Sequence, residues 1–206
     1  MTVRDRKRVR TRQALVVAAV DLFERHGYER TTIADIAAAA EIGTRTFFSY
    51  FATKEEILFP ETDARLRAAI EVIEERRPGD RPATVLLRAW ERADEVDEDD
   101  LADGLATLRH RLINEVPAVR GRALQFYCDA QIEIARRLAE TFPDELDEVS
   151  ATALTGAFAG AVGGALYVLL REPDRAMDPA ARRDMVRRAV RTALAPWLER
   201  AHQAAE

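Results

Sequence analysis

TTIADIAAAAEIGTRTFFSYFATK, residues 31–54, holds two short helical patterns around one tight turn. Thr32 is placed to cap the first, with Asp35 three residues on as an acidic version of the capping box. Ile33, Ile36, Ala37 and Ala40 recur at helical spacing and face a core. The run Ala37–Ala40 is small enough for another helix to cross closely. Glu41-Ile42-Gly43 makes the turn: Ile42 anchors it, and Gly43 supplies the backbone freedom. The second helix is expected over Thr44–Phe51, with Phe47 and Phe51 turned to the core. Thr53 and Glu56 then read as a capping box for a new helix. Two short helices, the second bearing aromatic, hydroxyl and basic groups, are the layout of a helix-turn-helix that enters a DNA major groove.

Such a pair cannot bury itself, and support comes from upstream. Leu15, Ala18, Ala19, Leu22 and Phe23 follow helical spacing, and Gly27 is a natural C-cap, so residues 4–51 read as a three-helix module. Downstream, one helix is expected from Lys54 to about Arg76, ending at Pro78-Gly79. The next starts near Pro82-Ala83 and fades in the acidic run Glu95–Asp100. Others run to about Asn114, over Ala118–Thr141, over Glu145–Arg171, and from Pro179, capped by Asp178, to about His202. Strand-like alternation is absent, so the fold class is all-α. The expected division is a helix-turn-helix domain over 1–53 and a helical domain over 54–206.

The stretch RTRQALVVAAVDLFERHGYERTTIADIAAAAEIGTRTFFSYFATKEEIL, residues 10–58, resembles the amino-terminal domain of the tetracycline-repressor-like (TetR) transcriptional regulators. The likeness rests on features that coincide in order: the helix end Leu22–Tyr28, the Thr32-Ile33 cap, Ile36-Ala37, Thr46-Phe47-Phe48, Tyr50-Phe51 and Lys54-Glu55. Two positions depart from the pattern. Glu41 stands where the family usually has glycine, which leaves the turn to be shaped by Gly43. Phe48 stands where tyrosine is frequent, which removes a hydroxyl.

The resemblance implies roles. Thr32, Tyr50 and Lys54 become phosphate anchors. Thr44, Arg45 and Ser49 reach base edges, Phe48 meets a thymine methyl, and Thr46 belongs to the same DNA-contacting group. Arginine's fork suits guanine, while phosphate contacts fix register without reading sequence. The resemblance also implies a homodimer on a palindromic operator, joined through the last two helices, and a small-molecule effector held by the middle helices.

Charge supports the placement of the partner. Residues 1–12 carry six basic groups against one acid, +5, in a chain of net −5, which leaves −10 for the remainder. A basic arm there suits phosphate or a minor groove, the alternative being a solvated tail. Only Lys7 and Lys54 are lysines among 31 basic residues, so lysine at position 54 suggests a local demand for a compact charge.

Val149–Leu170 has no charged residue and is long enough to span a bilayer. Its glycines and missing aromatic belts favour a helix buried in an assembly over a membrane span. Gly156, Gly160 and Gly164 form a ridge for close helix approach, and Val190, Leu194 and Trp197 lie on the apolar stripe Val186–Leu198; together these are the expected dimer interface. Trp90, Arg109, His110, Asn114, Phe126, Tyr127, Phe158 and Tyr167 offer an aromatic and polar mix for an effector pocket, and favour a ligand with apolar surface. Each also suits ordinary packing. The acidic run Glu95–Asp100 lacks calcium-loop spacing and reads as a solvated loop.

No spacing resembles a zinc site, nucleophile elbow, phosphate loop or dinucleotide fingerprint, so neither an enzyme nor a cofactor is expected. One cysteine, Cys128, and no secretory signal suit the cytoplasm. The expected function is a ligand-responsive DNA-binding repressor; the alternative is a ligand-independent architectural or adaptor protein of the same fold.

Overall fold

The computed structural model describes residues 2–60, 62–95, 102–171 and 179–199, and every regular element among them is helical. The chain divides into two compact units, Met1–Asp63 with Asp97–Phe126, and Ala64–Val96 with Tyr127–Glu206.

The first unit holds α1 (Val3–His26), α2 (Ile33–Ala39), α3 (Thr44–Phe47), a 3-10 turn (Glu55–Leu58), α6 (Ala102–Glu115) and the start of α7 (Pro117–Thr141). Its core is Leu15, Phe23, Ile36, Phe47, Phe51, Ile57, Leu58, Leu108 and Val119, all essentially without exposure. Each such side chain contributes roughly 1.5–3 kcal/mol on burial. The short α2 and α3 borrow their stability from this shared core. Packing thus groups α6 and the start of α7 with the amino-terminal helices, whereas the expected division is 1–53 and 54–206.

The second unit holds α4 (Thr62–Glu74), α5 (Pro82–Glu95), the rest of α7, α8 (Glu148–Arg171) and α9 (Pro179–Glu199). Ile73, Leu86, Leu138, Phe142, Leu154, Val190 and Leu194 form its core.

The single helix expected from Lys54 to Arg76 is instead broken into the 3-10 turn and α4. Pro60 explains the break: it lacks an N–H and disfavours helical backbone in the residue before it. Phe59 accordingly sits at φ −130°, ψ 50°. The helix expected from Glu145 begins at Glu148, because the Asp147 carboxylate accepts the Ser150 N–H at 2.6 Å and caps it. Residues 96–100 of the acidic run, Asp178 and His202 lie outside the described residues.

Candidate nucleic-acid interface

α1 ends as its sequence dictates. Gly27 takes φ 82°, and its N–H reaches the Phe23 carbonyl at 3.0 Å. The chain then dives through Tyr28 and Thr31, both buried. The Thr31 hydroxyl donates to the Gly27 carbonyl at 2.9 Å, which fixes the approach to α2. Thr32 and Asp35 complete a reciprocal capping box: the Asp35 N–H donates to the Thr32 hydroxyl at 3.1 Å, and the Thr32 N–H to the Asp35 carboxylate at 2.9 Å. The Thr32 hydroxyl and N–H bonds hold the Asp35 carboxyl below the usual carboxylate range.

The turn departs from expectation. Glu41, not Gly43, adopts the left-handed conformation, at φ 56°. Gly43 has an ordinary φ of −76° and serves as the N-cap of α3. The bond from the Ile42 N–H to the Ala37 carbonyl, 2.9 Å, closes the end of α2 only if the preceding residue swings left-handed.

α3 is also shorter than expected. Regular helix stops at Phe47, and the chain continues to Phe51 through tighter turns. The Ser49 N–H bonds the Thr46 carbonyl at 3.0 Å and the Tyr50 N–H the Phe47 carbonyl at 2.8 Å. Gly43 provides no side-chain cap, and threonine and phenylalanine are modest helix formers. Phe47 and Phe51 nevertheless hold the segment down as a buried spine, with ring centroids 5.9 Å apart. Thr44, Arg45, Thr46, Phe48 and Ser49 are exposed, and Phe48 keeps 54% of its surface open. This is an outward row of one guanidinium, three hydroxyls and one aromatic ring.

The spine is tethered from several sides. The Arg12 guanidinium donates to the carbonyls of Tyr50 and Pro60, both at 2.9 Å, and stacks 4.2 Å from the Phe51 ring centre. The Lys54 ammonium donates to the carbonyls of Tyr28 (2.9 Å) and Thr31 (3.0 Å) and lies 4.0 Å from the Tyr28 ring centre. Glu55 accepts from the Tyr28 hydroxyl. Burial and that carboxylate both push the Tyr28 phenol up. Burial also pushes the Glu55 carboxyl up, but bonds from Tyr28, its own backbone and Thr53 outweigh it, so its net shift is downward. Glu56 accepts the Ala52 N–H at 2.6 Å and pairs with Arg122 of α7. The expected Thr53–Glu56 box therefore forms by half: the Glu56 N–H reaches the Thr53 hydroxyl at 3.4 Å, while the carboxylate bonds one residue earlier. Arg109 donates to the Leu58 carbonyl at 3.2 Å. These tethers span up to 66 residues of sequence and carry no local signature.

The effector candidates fall in separate places. In the second unit Trp90 meets Phe158 edge-on, with centroids 6.3 Å apart. In the first, Phe126 packs on Phe59 at 5.4 Å, under Arg122. Asn114 bonds the His110 carbonyl of its own helix at 3.0 Å. Tyr127 and Tyr167 are exposed. Among the interface candidates, Gly160 and Gly164 face open space, whereas Gly156 abuts Gln131 within the protomer. Val190 and Leu194 have no exposure in the single chain and pack in its internal core. Trp197 packs partly buried against the same core. α8 over Glu148–Leu169 has mean hydropathy 1.5, and only 17% of its most apolar stretch is buried, so an apolar face stays uncovered. Ala153, Ala157, Gly160, Gly164 and Val168 line that face.

A reading segment held on an aromatic spine, behind a capped supporting helix, defines a helix-turn-helix of the DNA-binding class. Residues 15–59 match the family described as bacterial regulatory proteins, tetR family. The chain is 31% identical over 150 residues to the HTH-type transcriptional regulator TcmR of Streptomyces glaucescens, an alignment covering 71% of this chain and 66% of that relative's length. A crystal structure of a TetR-family transcriptional regulator from Syntrophomonas wolfei superposes with TM-score 0.65 at 21% identity, covering 93% of this chain and 96% of the other. Thermus thermophilus FadR, a TetR-family repressor solved with lauroyl-CoA, superposes with TM-score 0.55 at 20% identity, covering 91% and 93%. The chain belongs to the TetR family of regulators.

Proposed function

We propose that this protein is a transcriptional repressor that binds a palindromic DNA operator as a homodimer and is released by a small molecule. The observation that carries the reading is the exposed row Thr44, Arg45, Thr46, Phe48 and Ser49, fixed on buried Phe47 and Phe51. Arg45 is the guanine reader of the row, Thr44 and Ser49 reach neighbouring base edges, and Phe48 packs on a thymine methyl. Thr32 and Tyr50 flank phosphates. Lys54 keeps one N–H for phosphate while two hold the fold.

Two copies are needed because one short reading segment covers few base pairs, and a two-fold pair reads a palindrome. The uncovered apolar face of α8 supports the pairing. Burial of that face between copies, rather than in lipid, suits a protein that acts on DNA in the cytoplasm. Effector release requires a ligand that binds the non-DNA-binding state more tightly. Within the second unit, the paired rings of Trp90 and Phe158 favour a ligand with apolar surface, and the lauroyl-CoA bound by FadR is one such chemistry.

The test is selection of bound duplexes from a random pool. A recovered palindrome supports the reading; no enrichment above random sequence overturns it. On the recovered operator, Arg45→Ala costs about 1–3 kcal/mol and relaxes preference at one position per half-site. A released-by-ligand mechanism further requires that operator weaken the effector by the factor with which effector weakens operator. Equal effector affinity with and without operator would leave the ligand-independent adaptor.

A further inference from the structure

The reading segment has a short exit. Beyond Phe51 the chain makes only the 3-10 turn Glu55–Leu58 before regular backbone lapses at Phe59, at φ −130° and ψ 50°. No long helix therefore carries stiffness directly out of the segment. One carboxylate takes over that task. Glu56 accepts the Ala52 N–H, the first backbone donor after Phe51, at 2.6 Å with one oxygen. Its other oxygen accepts from the Arg122 guanidinium of α7.

Arg122 is itself fixed. It donates to the Gln125 side chain at 2.6 Å and lies 4.3 Å from the Phe126 ring centre. Phe126 packs on Phe59, with centroids 5.4 Å apart, and so holds the far end of the same turn. Val119, about one helical turn before Arg122, has no exposure and sits in the core that also buries Phe47 and Phe51. The Arg122 Nε is buried and bonds no described residue, so the guanidinium is held by Glu56, Gln125 and the ring. Arg122 and Glu56 are 24% and 17% exposed, and salt screens such a pair less than an open one.

We propose that Glu56 and Arg122 form a clasp that positions the reading segment for base recognition without touching a base. Fixing Ala52 sets the exit of the segment as the Gly43 N-cap sets its entry, and the two together fix how Arg45 and Phe48 are presented. Base preference then depends on α7, a helix remote in sequence. Phosphate contacts hold DNA without reading it, so a misplaced segment loses preference before it loses attraction. The inference rests on the DNA-binding reading above.

Glu56→Gln keeps an oxygen for the Ala52 N–H but drops the charge; Arg122→Met keeps a stem on Phe126 but drops the guanidinium. These two variants and their double are compared by fluorescence anisotropy on the selected operator and on a scrambled duplex, between about 50 and 200 mM salt and well below the melting range. Thermal unfolding is recorded separately. Each single variant should lower the operator-to-scrambled affinity ratio about tenfold, the size of one lost base contact. Scrambled-duplex affinity and the salt slope should match the parent. The double variant should fall no further than the worse single one, because the two residues share one function. An unchanged ratio in the single variants, whatever their loss of melting temperature, overturns the proposal and leaves the pair merely structural. Additive losses in the double variant overturn it too, since the residues would then act independently. A salt slope shallower by about 0.9 in Arg122→Met also overturns it, by placing Arg122 on a phosphate. A parent that does not distinguish the two duplexes would instead defeat the functional reading beneath it.

Discussion

Replacing Lys54 by methionine separates two uses of one charge. Methionine keeps the apolar stem and removes only the ammonium. That ammonium makes two charge-assisted bonds, at 2.9 and 3.0 Å, to the Tyr28 and Thr31 carbonyls, and sits 4.0 Å from a ring centre. Such bonds are worth about 1.5–3 kcal/mol each, and the ring contact about 0.5–1 kcal/mol. The site is half-buried, so water recovers part of this for the freed carbonyls. A net loss of about 2–3 kcal/mol follows, which lowers the melting temperature of a chain this size by about 5–10 °C. Thermal unfolding followed by circular dichroism measures it. Operator binding at low temperature, where the fold survives, should lose affinity equally on all duplexes. If the Lys54→Met variant melts within a degree of the parent while its salt slope falls by about 0.9, the reasoning fails. Lys54 would then serve phosphate and not the carbonyl cage.

Gly160→Leu should leave the protomer folded, because a Cβ at Gly160 meets nothing within 4 Å of its own chain; sedimentation should nevertheless show loss of the dimer, and an intact dimer would remove this ridge from the interface. Glu41→Gly should stabilise by about 0.5–1 kcal/mol in urea unfolding, since glycine relieves the cost of φ 56° and gives back part of it in unfolded-state entropy. Acid should destabilise from about pH 4 downward. Asp35, Glu55 and Asp80 are held below their ordinary values; their stabilisation is therefore present above the unfolded carboxylate range and lost as pH falls through the lowered values. Chemical denaturation across pH 2.5–6 checks this, and the acid limb should be shallower in Glu55→Gln.

Caps and buried helix faces are legible in the sequence because their partners lie close along the chain. The Thr32–Asp35 box, the Gly27 cap and the burial of Phe47 and Phe51 follow from neighbours three or four residues away. The turn misled for a local reason as well. Glycine is the default for left-handed backbone, but helix closure at Ala37–Ile42 required it two residues earlier, and glutamate bears the strain. Pro60 is the sequence signal for the break after Leu58, and the expectation of one continuous helix from Lys54 leaves it out of account. The anchoring of the reading segment could not be read at all: Arg12, Tyr28, Arg109 and Arg122 reach it from positions set by packing alone. The same holds for Val190 and Leu194, whose apolar stripe fits an internal seam and a partner face equally well until exposure is known.

The carbonyl cage around Lys54 also gives the protein a chemical selectivity. With only two lysines in the chain, amine acylation has a short menu of side-chain targets. Lys54 is engaged by two oxygens and pressed to a ring, while Lys7 stands exposed near the start of α1. A mild acylating reagent, or an acetyltransferase, will therefore modify Lys7 well before Lys54. That leaves the three-helix scaffold intact while erasing one positive charge from its outer edge.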